Sequence, residues 1–269
     1  MVAMVANQQQ KGAEFRALHE GEAFIIPNPW DAGSAKVFAG LGFKALATTS
    51  AGFAFTLGRL DGAVTLDEVI DHVRVLDAAT SLPVSVDLEN GYGPDPEQAA
   101  LAITRAAEAG AVGGSIEDYG PEHGIYDLGH AVERVAAASE AARGLGFPFT
   151  FTARAENFFR GNPDLDDTIA RLQAYEEAGA DVIYAPTLRN AEQIRAVCEA
   201  TSKPLNVLAH ARLTMSEIVA AGARRVSVGS WLAMAAVDAV VEGAKEMRDT
   251  GSFASLRAPA ELREWLAAS

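Results

Sequence analysis

The sequence predicts an α/β protein, and within that class a (β/α)8 barrel with one additional helix at the C-terminal end. Three observations carry this reading. Eight short apolar or β-branched runs recur along the 269 residues, each followed by a longer Ala/Leu/Glu/Arg segment of helical character. Glycine returns at one place in the repeat, in LGF, EAGAV, GLGF, EAGAD and AAGARR, where a left-handed residue ends a helix before the next strand. No Pro-, Ser- or charge-rich linker divides the chain. Residues 1–269 therefore read as a single barrel domain, with 246–269 as a C-terminal helical extension. At roughly 150 residues per domain the length would also suit two three-layer α/β domains, which is the alternative architecture.

The expected strands are 23–27, 45–49, 83–87, 114–117, 149–154, 182–185, 204–208 and 225–228. Between them, 65–79 places Leu66, Val69, Ile70, Val73 and Leu76 at spacings of three and four, which puts them on one buried helical face. The segments 95–109, 130–143, 165–178 and 191–200 follow the same pattern. Thr65, Asp95 and Asp164 stand where an N-cap is useful. Residues 253–268 read as the extra helix.

Composition sets limits on function. Hydrophobic residues make up 49%, enough for a large core, while Lys+Arg 22 against Asp+Glu 36 leaves a net charge of −14. Such a surface repels nucleic acid and anionic membranes, so neither is an expected partner. A small anionic metabolite is not excluded, because a bound cation or a buried arginine reverses the field locally. Cys198 is the single cysteine, which removes intramolecular disulfides and cysteine-based zinc sites. The opening MVAMVANQQQ lacks the basic region of a signal peptide. The longest apolar run, 231–241, is short and contains Asp238, so no bilayer span is expected and the cytoplasm is the expected location.

In a barrel of this kind the reactive groups follow the strands, all on one rim. The third and fourth expected strands end in Asp87, Glu89 and Glu117. Adjacent parallel strands lie about 5 Å apart, and three carboxylates so close repel unless a cation or protons join them. Hard oxygen donors without Cys or paired His point to Mg2+ or Mn2+. The competing reading is salt bridging to arginine. Asp118 reads as a loop cap. Arg154 ends the apolar strand FPFTFTAR, where its guanidinium could hold a substrate carboxylate on two bonds or pair with Glu156 or Glu117. Thr49, Ser50, Ala51 and Gly52 form a small-residue turn whose N–H groups could bind an oxyanion. His123, in the loop EDYGPEHGIYDLG, is a candidate acid or base. The helix start at Gly229-Ser230-Trp231 is a lesser anion site.

In order, PNPWDAGSA, ATTSAG, LGRLDG, VDLENGYG, SIED and TARAE resemble the isocitrate lyase/phosphoenolpyruvate mutase superfamily, in particular its phosphonomutase-like branch, from about Phe24 to about Val228. The resemblance implies a Mg2+-dependent barrel enzyme and a helix beyond the barrel, here the additional C-terminal helix, exchanged between subunits, giving dimers that pair into tetramers. It implies that Asp87 touches the metal and that Glu89, Glu117 and Asp61 hold its waters. It gives Thr49, Ser50 and Ala51 to the substrate's carboxylate and oxo group and Arg154 to its charge, with Trp30 and Glu156 beside the substrate. It further implies a 2-oxo or 2-hydroxy acid cleaved at a C–C or P–C bond through an enolate.

Two departures bear on the reaction. The K-[KR]-C-G-H loop of the lyases, whose cysteine is the acid, reads PEHG here, which leaves His123 as the proton donor to consider. The histidine that the mutase branch carries after the sixth strand is replaced by Pro186-Thr187. The expected activity is a Mg2+-dependent lyase or decarboxylase of a small 2-oxo or 2-hydroxy dicarboxylate. The alternatives are a phosphonopyruvate mutase or hydrolase and a non-catalytic 2-oxo acid binding protein.

Overall fold

A computed structural model describes residues 2–267 and contains an eight-stranded parallel sheet curled into a barrel. Its strands are β1 (Phe24–Ile26), β2 (Leu46–Ala47), β3 (Val84–Asp87), β4 (Gly113–Glu117), β7 (Thr150–Arg154), β8 (Val182–Tyr184), β9 (Leu205–Leu208) and β10 (Arg225–Ser227). They lie in the order β1-β10-β9-β8-β7-β4-β3-β2. The other two strands, β5 (Tyr119–Gly120) and β6 (Gly124–Ile125), form an antiparallel hairpin after β4. All eight expected strands are present; seven are shortened by one to three residues, and β4 begins one residue earlier than expected.

The ring closes between β1 and β2 without a ladder. Ala47 N–H donates to the Pro27 carbonyl at 3.1 Å. The Asn28 side chain completes the join: its Nδ2 donates to the Thr48 carbonyl at 3.0 Å, and its Oδ1 accepts from Val228 N–H and Gly229 N–H, both at 2.9 Å.

The helices that alternate with these strands bury the stripes the spacing predicts. In α4 (Leu66–Ala79) the buried residues include Val69, Ile70, Val73 and Leu76, and Thr65 with Glu68 forms the capping box that starts it. α5 (Pro96–Glu108), α6 (Leu128–Arg143), α7 (Leu165–Glu177) and α8 (Ala191–Ala200) occupy their expected places. The Asp164 side chain caps α7 by accepting from Asp167 N–H at 3.0 Å. Gly110 and Gly179, in EAGAV and EAGAD, stand at φ 114° and 106°, a conformation that a side chain resists. The remaining units are α2 (Ala32–Gly40), the short α3 (Ser50–Thr56), α9 (Met215–Ala220) and α10 (Trp231–Thr250). Among the described residues no helix is long and apolar enough to cross a membrane.

Two ends of the chain differ from expectation. A 19-residue helix, α1 (Val2–Glu20), precedes β1, where no helix was expected. It closes the barrel floor: Phe15 packs with Ile26, Ala45 and Val112. Polar residues are buried with it, since Gln8 Nε2 donates to the Ala107 carbonyl at 2.6 Å and Lys11 Nζ to Asp77 at 2.7 Å. A helix anchored partly by Gln8 and Lys11 escapes a search for apolar periodicity. At the other end the extra helix covers only Leu262–Ala267, as α11, instead of 253–268, and residue 268 lies outside the described residues. α10 runs on to Thr250, into the segment read as the extension. α11 packs on α2 of its own chain, where Trp265 covers Gly40 and Lys36 Nζ donates to the Leu266 carbonyl at 2.9 Å.

Candidate active site

The strand ends open into a cavity of about 1100 Å³ lined on one side by Thr49, Ser50, Ala51, Asp61, Asp87 and Arg154. Thr49 is the N-cap of α3 and its Oγ1 accepts from Gly52 N–H at 3.3 Å. A side chain at position 52 would stand 2.5 Å from Thr49 Cγ2 and 3.2 Å from Trp30 Cβ, so only glycine lets this turn fold against the first strand's tail. Trp30 supports α3 from behind and packs edge-on against Phe38; it is not part of the cavity wall. Thr48 Oγ1 accepts from Asp87 N–H at 2.8 Å, which fixes the end of β3 relative to this turn.

After Asp87 the backbone turns sharply. Glu89 and Tyr92 adopt φ 48° and 62°, left-handed values that cost of order 1–3 kcal/mol for such residues. The buried Arg134 on α6 holds the turn in place by donating to the carbonyls of Asn90, Gly93, Pro94 and Asp95. As a result Glu89 turns back toward Asp87 and Asp61. Burial, then the charges of Asp87 and Asp61, push the Glu89 carboxyl up to about 7. Tyr92 OH donates to Glu89 Oε1 at 3.4 Å.

Glu117 and Arg154 are register partners on β4 and β7. Arg154 Nη1 lies 3.4 Å from Glu117 Oε2, and Arg154 Nε bonds Glu156 Oε1. Arg160, which the sequence reading passed over, completes a square: its Nη2 donates to Glu117 at 3.0 Å and its Nε to Glu156 at 2.9 Å. Its place four residues after Glu156 in RAENFFRG was the available signal. The Arg154 guanidinium also lies over the Tyr184 ring, 5.3 Å from its centroid. Burial opposes the charge on Arg154, but Glu117 and Glu156 outweigh it and keep it protonated. Burial likewise raises the Glu117 carboxyl, with Arg154 opposing.

Both readings of Arg154 thus coexist: it is ion-paired, and it faces the cavity. Glu156 is fully buried, its two oxygens taken by guanidinium groups, and lies behind Arg154 outside the cavity wall. His123 occupies the turn of the β5–β6 hairpin, exposed, with its N–H donating to the Gly120 carbonyl at 3.0 Å. It too lies outside the cavity wall. Asp118 is not a loop cap but a buried hub, with Oδ1 accepting from Glu156 N–H and Oδ2 from Arg171 and Tyr175.

The donor set fits a hard divalent cation. Asp61, Asp87, Glu89 and Glu117 lie about this rim, and burial, then the charges of Asp87 and Asp61, drives Glu89 toward protonation. Among the described residues no three such side chains converge on a single point. Mg2+ keeps several of its waters, so carboxylates spread over a rim can act on such an ion through water.

A family model described as phosphoenolpyruvate phosphomutase matches residues 15–248. An oxaloacetate decarboxylase from a Bradyrhizobium species is 33% identical over 246 residues, which is 87% of this chain and 83% of that one. A solved structure from Burkholderia cenocepacia is 51% identical, with a TM-score of 0.94 over 98% of each chain. The structure of an oxaloacetate acetylhydrolase in complex with its product oxalate is 27% identical, with a TM-score of 0.85 over 95% of this chain and 94% of that one. Strand order and these matches agree, and the chain belongs to the phosphoenolpyruvate phosphomutase family, within the isocitrate lyase/phosphoenolpyruvate mutase superfamily.

Proposed function

We propose that the protein is a Mg2+-dependent lyase or decarboxylase that cleaves a C–C bond in a small 2-oxo or 2-hydroxy dicarboxylate and leaves the bonding electrons as an enolate. The observation that carries this is the acidic rim beside Arg154, a cavity-facing arginine that its neighbouring carboxylates keep charged. Relatives that act on oxaloacetate support the substrate class. When bound, the divalent ion, Mg2+ or Mn2+, supplies positive charge to the substrate's carboxylate and C2 oxygen. Asp87 would hold it directly, with Asp61, Glu89 and Glu117 acting through water.

The chain's own residues do the rest. The N–H groups at Ser50 and Ala51 receive the carboxylate end of the substrate. With a 2-oxo acid Arg154 stabilises the negative charge that grows on the C2 oxygen as the bond breaks; with a 2-hydroxy acid the C2 oxygen becomes a carbonyl and the electrons pass to the carboxylate of the departing fragment. Glu117, Glu156 and Arg160 keep its guanidinium in one orientation, so little reorganisation is needed during the reaction. His123 would protonate the enolate carbon only with the β5–β6 hairpin folded over the rim.

The assembly we propose is a homo-oligomer built by exchange of α10. That helix buries only Ala233 and Gly243 and leaves Leu232, Val240, Val241 and Met247 exposed. A face of this kind normally meets a partner.

The test is a panel of oxaloacetate and substituted malates assayed with and without Mg2+ after chelation. Metal-dependent release of pyruvate, oxalate or a 2-oxo acid is the expected outcome. No turnover of any member, or turnover indifferent to Mg2+ and Mn2+, removes the proposal. Phosphonopyruvate in the same panel discriminates P–C chemistry, and metal-dependent binding without turnover identifies a binding protein.

A further inference from the structure

The acidic rim is one end of a longer row of side chains in the barrel interior. Glu117, Arg154, Tyr184, Asn206 and Arg225 are register partners on β4, β7, β8, β9 and β10, so all five project from the same side of the sheet. Arg154, Tyr184, Asn206 and Arg225 line the cavity together with Ser227. Hydrogen bonds join them. Arg225 Nε donates to Asn206 Oδ1 at 2.9 Å, Asn206 Nδ2 donates to Ser227 Oγ at 3.0 Å, and Ser227 hydrogen-bonds the Tyr184 hydroxyl. From the other side the Arg154 guanidinium lies over the Tyr184 ring.

Arg225 is the member of this row that packing alone does not explain. Its guanidinium is buried and meets neutral groups only: Asn206, Thr152 Oγ1 at 3.1 Å, and His19 Nε2 at 3.4 Å. Burial lowers His19 to about 3, so that ring is neutral. A buried cation without a counter-ion is costly. Burial lowers Arg225 only to about 10, and the one group whose negative charge opposes that fall is the Tyr184 phenol. Burial in turn pushes Tyr184 up to about 12, with Arg154 and Ser227 opposing, so the phenol holds its proton at neutral pH. A phenylalanine would serve equally well as a platform for Arg154. The hydroxyl, its line of partners and the buried cation at the end of that line are what a platform does not need.

We propose that the Tyr184 hydroxyl is the proton donor to the enolate carbon of a 2-oxo acid, with Arg225 positioned, through Asn206 and Ser227, to offset the phenolate that the transfer leaves. The proposal rests on the lyase reading above. Tyr184 lies in the cavity wall, where His123 does not. After the C–C bond has broken, the O–H bond of Tyr184 breaks and its proton goes to C3. The electron pair of the C2–C3 double bond forms the new C–H bond, and the C2 oxygen returns to a carbonyl. The phenolate stands between two guanidinium groups, Arg154 over its ring and Arg225 beyond Asn206, and takes a proton from water once the product has left.

The test is the full chain with Mg2+ and oxaloacetate, with carbon dioxide read by mass spectrometry and pyruvate by lactate dehydrogenase, which reduces only the keto form. In the wild type the two products should appear together. Tyr184→Phe keeps the ring beneath Arg154, so carbon dioxide should still be released and oxalate affinity should stay within about twofold. The enol then leaves and ketonises in solution, so the initial rate of pyruvate formation should fall at least about tenfold below that of carbon dioxide. A purely structural role for Tyr184 gives no such delay. Joint appearance of the two products in the variant, at any rate, overturns the proposal. So does a variant that binds oxalate but releases no carbon dioxide, or a delay already present in the wild type. Should Tyr184→Phe fail to bind oxalate, Ser227→Ala takes its place; it should delay part of the pyruvate, and no delay overturns the proposal. Wild-type inactivity on oxaloacetate also overturns it, whereas the lyase reading falls only if the substituted malates fail as well.

Discussion

Asp118 Oδ1 accepts the backbone N–H of Glu156 at 2.8 Å, and through that bond the tail of β4 sets the position of the tail of β7. Its other oxygen accepts from Arg171 Nη1 at 3.0 Å and Tyr175 OH at 2.6 Å. Replacing Asp118 by Ala leaves Arg171 and Tyr175 facing a void. We expect a loss on the order of 3–5 kcal/mol in urea unfolding, the usual effect of breaking a buried charge pair. Asp118→Asn keeps the acceptor for Glu156 and should lose clearly less. Equal losses in the two variants would show that the contact with Glu156 contributes nothing.

Arg154 is held by Glu117 and Glu156 on one side and Tyr184 on the other. Lysine at this position cannot make the forked contacts or lie flat on the ring. Arg154→Lys should lower kcat/KM by about 100-fold or more, as loss of an oxyanion donor does. Steady-state assay of the active substrate decides this, and a fall of less than about threefold would remove the arginine from the reaction.

On the proposed assignment Glu89 acts on the cation through water, so Glu89→Gln should weaken Mg2+ about 10- to 100-fold without unfolding the protein. Asp87→Asn should weaken it further. Titration of Mg2+ in the presence of oxalate reads both, and the order of the two effects checks the assignment of Asp87 as the direct contact.

His72 stacks on Phe53 at 3.9 Å beneath α3, and its Nε2 is buried without a partner. Burial lowers its pKa from 6.5 to about 4, with Asp31 opposing. The ring is neutral in the folded state, while the unfolded chain takes up a proton below about 6.5. Its contribution is therefore complete above pH 6.5 and is lost as pH falls toward 4, by up to about 3 kcal/mol. His72→Phe should flatten the decline in urea midpoint between pH 7 and pH 5. An unchanged slope would place the acid sensitivity elsewhere, with His19, whose pKa burial lowers to about 3, as the next group to test.

The exposed face of α10 gives a prediction about assembly. Val240 is 69% exposed, the largest exposure among the large apolar residues of the helix. Val240→Asp should shift the protein to a smaller species in light scattering at micromolar concentration. An identical mass for variant and wild type would move the interface off this face.

The rim was legible in the sequence because barrel strands deliver their last residues to one place. Asp87, Glu117 and Arg154 end β3, β4 and β7, and counting strands is enough to bring them together. The turn at Thr49 was legible for the same reason. Arg160 was not, because it reaches Glu117 across 43 positions from a loop whose path no periodicity describes. The role of Asp118 was hidden by burial, since a residue next to a strand end looks solvated until α7 covers it. α1 was missed because polar contacts, rather than an apolar stripe, hold much of it.

Asn28 gives the mouth of the molecule an unusual dependence. Elsewhere main-chain ladders bind each strand to the next; at one junction a single carboxamide does much of that work, offering hydrogens to one neighbour and lone pairs to the other. Aspartate has nothing to donate to Thr48, and leucine, though similar in outline, can neither give nor accept. Only one kind of chemistry suits that position, and its loss would be felt as a loosening of the very vestibule through which a ligand must pass.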